Sequence, residues 1–198
     1  VIETLPLEPL TDYSKFKVEC EKILSEFTSD NFETVIIRPA TVCGYAKRQR
    51  LDVVVNILTN LAYNNRKIKV FGGDQLRPNI HILDMARAYD ILLNSEKKLV
   101  TGKIFNAGYE NQSVNHLANL VKKVIGDDVK IKYLESNDNR SYHISSKKIE
   151  QELGFQTVKT IEEAIQDLKD AFDDKKLINT LSDEMFFNIK RMNNLELK

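Results

Sequence analysis

Between Thr11 and Thr28, apolar side chains recur at Phe16, Cys20, Ile23, Leu24 and Phe27, the spacing of one helix face. Thr11 or Asp12 is placed to cap that helix, and Ser29, Asp30 and Asn31 end it. The next run, Thr34 to Arg38, is β-branched and closed by Pro39, the composition of a strand buried on both faces of a parallel sheet. A helix followed by such a strand predicts an α/β fold. The alternation continues with a helix from Asp52 to Tyr63, a strand from Lys67 to Phe71 ending in Gly72 and Gly73, and a short strand from Asn79 to Ile82. Asp84 is read as the cap of a helix running through Leu93. Beyond it the pattern predicts strands at Lys103 to Asn106 and Val129 to Leu134, and helices at Ser113 to Val124, Ser146 to Leu153 and Ile161 to Phe172. Leu181 to Lys198, rich in Asn and charge, carries the weakest pattern.

Composition narrows the function classes. A chain of 198 residues with 42% hydrophobic and 29% charged residues has room for one sizeable core, or at most a domain and a half. The 29 basic residues cancel the 29 acidic ones, so no global field draws it to nucleic acid or to an anionic membrane, and any anion site must be built from local arginines. Cys20 and Cys43 form neither a CxxC pair nor a Cys/His cluster, so no disulfide framework and no metal site are expected, and a reducing cytoplasm is the default setting. The longest apolar stretches, such as Val35 to Ile37, stop far short of the roughly 20 residues that span a bilayer. Val1 to Leu10 reads as an extended loop with Pro6 and Pro9, and the chain is expected to be cut from something longer.

Tyr13 and Lys17 lie four residues apart on the first helix, which puts phenol and ammonium on one face about a turn apart. A nearby cation favours the phenolate, which makes such a tyrosine a usable general base near neutrality. The same spacing also describes an ordinary solvated helix face. Tyr63 and Lys67 repeat it, but Asn64 and Asn65 end the helix there, so those two side chains need not share a face.

Context separates the two readings. The helix is followed by Ile37-Arg38-Pro39-Ala40-Thr41-Val42-Cys43-Gly44, then by Arg77-Pro78-Asn79-Ile80-His81-Ile82-Leu83-Asp84-Met85-Ala86, then by Arg140-Ser141-Tyr142 leading to Lys148 and Leu153-Gly154-Phe155. In this order and approximate spacing the chain resembles the extended short-chain dehydrogenase/reductase superfamily, specifically its NAD-dependent sugar-nucleotide epimerases and dehydratases. The resemblance runs from Leu5 to about Phe172. It implies the C-terminal part of a Rossmann-like parallel sheet domain with a smaller α/β substrate-binding domain. Residues 1–50 would be the last elements of the NAD-binding domain, 51–172 mainly the sugar-nucleotide domain with some elements returning to the sheet, and 173–198 a C-terminal extension.

The resemblance also implies roles. Tyr13 would be the catalytic base, with Lys17 holding the cofactor ribose, and Pro39 and Val42 would meet the nicotinamide of NAD, NADP being the less favoured cofactor. Thr41 stands where several members carry a substrate-binding Asn, a departure that bears on the sugar contact. Arg77 would grip the diphosphate of a nucleotide sugar, which a planar guanidinium does bidentately. Arg140 is a second such candidate. Arg50, with Arg48, precedes the Asp52 helix, where an anion would also meet free backbone N–H groups, and Phe71 would wall the nucleotide base. His81, between Ile80 and Ile82, is read as a packed structural histidine, and His116 and His143 form no ligand pattern.

The sequence has no G-x-x-G-x-x-G turn for a dinucleotide pyrophosphate, no Ser or Thr in the family's catalytic position ahead of the Tyr helix, and no Asp-Glu pair of the dehydratases. On the resemblance, the glycine turn lies ahead of Val1 and the chain is the C-terminal half of such a protein, so that alone it would bind NAD poorly and not turn over. When complete, the protein would be a homodimer acting on a nucleotide-diphosphate sugar by transient oxidation of a sugar carbon. The alternatives are a non-catalytic Rossmann-like protein that binds a nucleotide or a partner, and a plain reductase.

Overall fold

A computed structural model describes residues 1–135 and 141–195. Helix α1 spans Asp12–Phe27 and begins in a capping box, Thr11 accepting from the Ser14 N–H while the Ser14 hydroxyl accepts from the Thr11 N–H. No residue of α1 is buried: Phe16, Ile23 and Phe27 all face out. Its opposite face reaches the sheet through Glu21, which takes the guanidinium of Arg38 at 2.9 Å from Nε. Strand β1, Val35–Pro39, is half-buried rather than buried on both faces. Among the described residues it pairs on one side alone, with β5, Lys103–Ala107, in parallel register.

The chain then passes through β2 (Thr41–Cys43), α2 (Val54–Asn65), β3 (Lys67–Phe71), β4 (Leu76–His81), α3 (Ile82–Asn94) and α4 (Lys97–Val100). After β5 come β6 (Asn111–Ser113), α5 (Val114–Ile125), β7 (Lys130–Leu134), α6 (Lys147–Leu153), α7 (Ile161–Asp173) and α8 (Asn188–Asn194). Strand β2 pairs in parallel with β4, Thr41 opposite Asn79 and Cys43 opposite His81, and β6 closes that sheet in antiparallel fashion. Strands β3 and β7 form a separate parallel pair.

Apolar burial is divided among three clusters, the smallest of them Leu168, Ala171, Phe172 and Leu177 at the end of α7. Of the two larger, one gathers Ala40, Ile80, Met85, Phe105, Ile149 and Phe155, so that β5, α3 and α6 close over the β1 end of the molecule. The other gathers Cys43, Leu58, Ile68, Leu117, Val121 and Ile165 from β2, α2, β3, α5 and α7. The short stretch from Ala40 to Cys43 therefore crosses from one core to the other, and the site described below sits at that crossing.

The cap of α3 differs from expectation. His81, not Asp84, is the N-cap, its Nδ1 accepting the Leu83 N–H at 3.1 Å. Asp84 lies in the first turn, fully buried, and reaches across to the loop before α7, accepting the N–H groups of Val158 and Lys159 at 3.1 and 2.9 Å. Arg87 Nη1 donates to it at 2.7 Å, so the buried carboxylate is hydrogen-bonded and charge-matched. The segment with the weakest sequence pattern is also placed: buried Thr180 exchanges hydrogen bonds with Asn60 of α2 at 2.7 and 3.1 Å, and a 3-10 turn at Glu184–Phe186 leads into α8. Among the described residues, no helix is long and apolar enough to cross a membrane, and no group of three or more His, Cys, Asp or Glu side chains is placed to hold a metal ion.

Candidate active site

Where β1 gives way to β2, a cavity of about 390 Å³ opens. Its walls include Tyr13 from the first turn of α1, Pro39, Thr41 and Val42 from the strand ends, and Arg48 and Arg50 from the loop before α2. This is the carboxyl end of a parallel strand, where open α/β sheets bind ligands because the chain leaves the sheet there and loops diverge. A second cavity of about 250 Å³ adjoins it, sharing Thr41, Val53 and Tyr142 and adding Arg77 and, at the start of α2, Val54. Val53 caps α2 without a side-chain hydrogen bond.

Local chemistry shapes the arginine loop. Gly44 turns the chain out of β2 at φ +103°, and a Cβ there would meet Ile82, Ala164 and His81 at 3.4 to 3.6 Å. Those distances are ordinary van der Waals contacts, so it is the positive φ that selects glycine here. Two buried amides then hold residues 44–52: Gln49 accepts the Ala46 N–H at 2.9 Å and donates to the Arg50 carbonyl at 3.0 Å, while Asn56 accepts the Gly44 N–H at 3.2 Å and donates to the same Arg50 carbonyl at 2.8 Å. Arg50 Nε donates to Asp52 Oδ1 at 2.9 Å. Partial burial works to raise the Asp52 pKa, but the bonds from Arg50 and the Asn188 N–H outweigh it and hold the carboxyl below its ordinary range.

The expected site residues are brought together unevenly. Tyr13, Pro39, Thr41, Val42 and Arg50 share the larger cavity, and Arg77 opens on its neighbour. Tyr13 is 76% exposed. Lys17, a turn along α1, is exposed and lines neither cavity. Phe71 lines neither as well, because β3 turns Ile68 and Val70 inward and leaves Phe71 on the outward face. Arg140 lies outside the described residues. His81 is fully buried; since its Nδ1 accepts, its Nε2 carries the proton and donates to Asp167 at 3.1 Å, tying β4 to α7. That is the packed structural role expected of it.

Sequence reasoning passed over three contributors. Tyr142 lines both cavities with its ring 5.8 Å from the Arg77 guanidinium, and Gln49 and Asn56 form the frame behind Arg50. A buried polar residue in a loop, such as Gln49, has no periodicity to announce it, and Asn56 is a single polar residue between Val55 and Ile57 on the buried side of α2.

Parallel βα units with a tyrosine-bearing helix, strand-end cleft and surrounding arginines define an α/β protein of the Rossmann type. The sequence profile of the NAD dependent epimerase/dehydratase family matches residues 1–108, more than half of the chain, and the chain belongs to that family. A protein of Arabidopsis thaliana named as a UDP-arabinose 4-epimerase is 26% identical over 178 residues, covering 78% of this chain and 42% of the relative. Among solved structures, the UDP-glucose 4-epimerase of Thermotoga maritima with UDP-glucose superposes with a TM-score of 0.78 at 23% identity, over 89% of this chain and 58% of that one. The UDP-glucuronic acid 4-epimerase of Bacillus cereus, in complex with UDP-glucuronic acid and NAD, gives 0.77 at 22% identity, over 88% and 56%. The chain thus spans less than two thirds of the length of each of these relatives.

Proposed function

We propose that the protein acts as an NAD-dependent epimerase or dehydratase on a nucleotide-diphosphate sugar, an isomerase or lyase of carbohydrate biosynthesis. The observation that carries this reading is the placement of Tyr13 on the same cavity as the Pro39 to Val42 strand end, with Arg77 on the cavity adjoining it.

The residues present suit the nicotinamide end of NAD: the wall from Pro39 to Val42 offers backbone and small apolar groups to a flat ring, and Tyr13 belongs to the same cavity. Bound NAD would supply the acceptor for hydride from a sugar carbon and return it. Tyr13 takes the proton of the sugar hydroxyl and later gives it back, and Lys17, on the same helix, holds the cofactor ribose. Arg77 meets the diphosphate, and Arg50 and Thr41 meet the sugar side. Phe71 and Arg140 enter this reading on the resemblance alone. The core containing Ala40 and Phe105 serves the cofactor, and the core containing Cys43 and Leu117 serves the sugar nucleotide. A cytoplasmic homodimer completes the reading, with the outward apolar side chains of α1 in support.

The test is incubation of the full-length protein with NAD and UDP-sugars, followed by chromatographic identification of the sugar. A changed configuration at one carbon, or loss of water, is expected; nucleotide-sugar binding without any conversion would overturn it. The second reading, a non-catalytic nucleotide-binding member of the fold, is favoured by one observation, the position of Lys17 off both cavity walls.

A further inference from the structure

Residues 180–188 run back across the molecule to the start of α2, the place where Arg48 and Arg50 line the larger cavity. Three contacts converge on that loop. The Leu51 N–H donates to the Phe186 carbonyl at 2.9 Å. The Asn188 N–H donates to Asp52 Oδ2 at 2.9 Å, while the other oxygen of the same carboxylate accepts from Arg50 Nε at 2.9 Å. The Asn188 side chain accepts from Arg48 Nη2 at 3.0 Å. One residue therefore holds both arginines, Arg48 directly and Arg50 through Asp52.

An arginine at a cavity mouth samples many rotamers, and the entropy lost in fixing it weakens any ligand that must do the fixing. Here part of that ordering is already made by the protein. A guanidinium held through Nε still offers its outer nitrogens to a ligand, and the Arg50 side chain is 46% exposed. The strap is anchored independently of the cavity, because Thr180 is buried against Asn60 of α2.

We propose that Asn188 is a positioning residue: the segment 186–188 straps the loop before α2 and presets Arg48 and Arg50 for the oxygens of the bound nucleotide sugar. The identity of that ligand rests on the function proposed above; the strap itself does not. Because Asn188 opens α8 and Phe187 is extended at φ −128° and ψ 100°, proline fits at 188 without breaking the helix.

A graded series of variants in the full-length protein tests this. Asn188→Asp keeps both contacts, Asn188→Ala loses the Arg48 contact, and Asn188→Pro loses both. UDP-glucose affinity and KM should change by less than about twofold for Asn188→Asp, about threefold for Asn188→Ala and about tenfold for Asn188→Pro, with kcat and melting temperature held. In amide hydrogen exchange, residues 48–52 should open faster in Asn188→Pro and not in Asn188→Asp. Unchanged affinity across the series, or kcat and melting temperature falling together with it, would overturn the positioning role. If the wild-type protein binds no nucleotide sugar, the functional reading fails; the strap is then judged on exchange alone, and unaltered exchange in Asn188→Pro would overturn it.

Discussion

The Arg77 guanidinium lies 5.8 Å from the centroid of the Tyr142 ring, at the wall of the cavity beside α2. Stacking on an aromatic face orients a planar cation, and Arg77 Nη1 also donates to the Leu76 carbonyl at 3.0 Å, so the guanidinium is fixed at the cavity wall where, under the proposed function, a diphosphate would meet it. Arg77→Ala should weaken nucleotide-sugar binding by roughly 1.5 to 3 kcal/mol in calorimetric titration, the range for charge-assisted hydrogen bonds. Tyr142→Phe should leave affinity near wild type, whereas Tyr142→Ala should cost about 0.5 to 1 kcal/mol.

Tyr13 lines the cavity that also holds Thr41 and Val42, and Tyr13→Phe removes only its hydroxyl. Under the proposed function, in the full-length protein it should lower kcat by about 10² to 10⁴-fold, the usual contribution of a general base, with substrate affinity nearly unchanged. A variant with wild-type turnover would remove Tyr13 from the chemistry.

The two thiols should separate cleanly by reactivity. Cys20 is exposed on α1, whereas burial pushes the Cys43 thiol up to about 12. Because the thiolate is the reacting species, iodoacetamide at neutral pH should label Cys20 alone in the native protein and Cys43 as well after unfolding in urea. Mass spectrometry of the two digests reads the result.

Asp84 is fully buried and answers three donors from two parts of the chain. Asp84→Ala strands the Val158 and Lys159 N–H groups and leaves Arg87 without its carboxylate. Urea unfolding should register a loss of about 3 to 5 kcal/mol, the cost of removing one partner from a buried charged network. Were Asp84 a simple cap, the loss would be closer to ~1 kcal/mol.

Acid stability should report on the capping box of α7. The Lys159 ammonium, the Thr160 N–H and the Thr160 hydroxyl hold the Glu163 carboxyl down to about 2, from an ordinary value of 4.5. A folded-state pKa below the unfolded one contributes stability above about pH 4.5 that is lost as pH falls through about 2. Glu163→Gln should therefore flatten the melting-temperature profile across that window and leave its slope at neutral pH unchanged.

Strand β3 was legible to the residue, Lys67–Phe71, because alternation runs its whole length and Asn64-Asn65 and Gly72-Gly73 mark its ends. Helices α1, α2, α5 and α7 were legible within a residue or two, since each has an amphipathic face and three of the four carry side-chain caps. The gathering of Tyr13, the strand end from Pro39 and Arg77 also came from the chain, through motifs whose order mirrors their place in the fold. Strands β2 and β6, three residues each, are too short to express a period, and they exist because β4 lies between them to accept their hydrogen bonds. The half-burial of β1 depended on how many strands flank it, which its own residues do not encode. His81 rather than Asp84 became the cap because a loop some 75 residues away supplied Asp84 with better donors. The tie from Asn188 to Arg48 and Asp52 spans 140 and 136 positions, and no local pattern can carry a contact that arises only when the C-terminal segment folds back over α2. Periodicity records which face of an element seeks an apolar neighbour; which polar groups then meet across the cavity is decided by the packing of those faces in three dimensions.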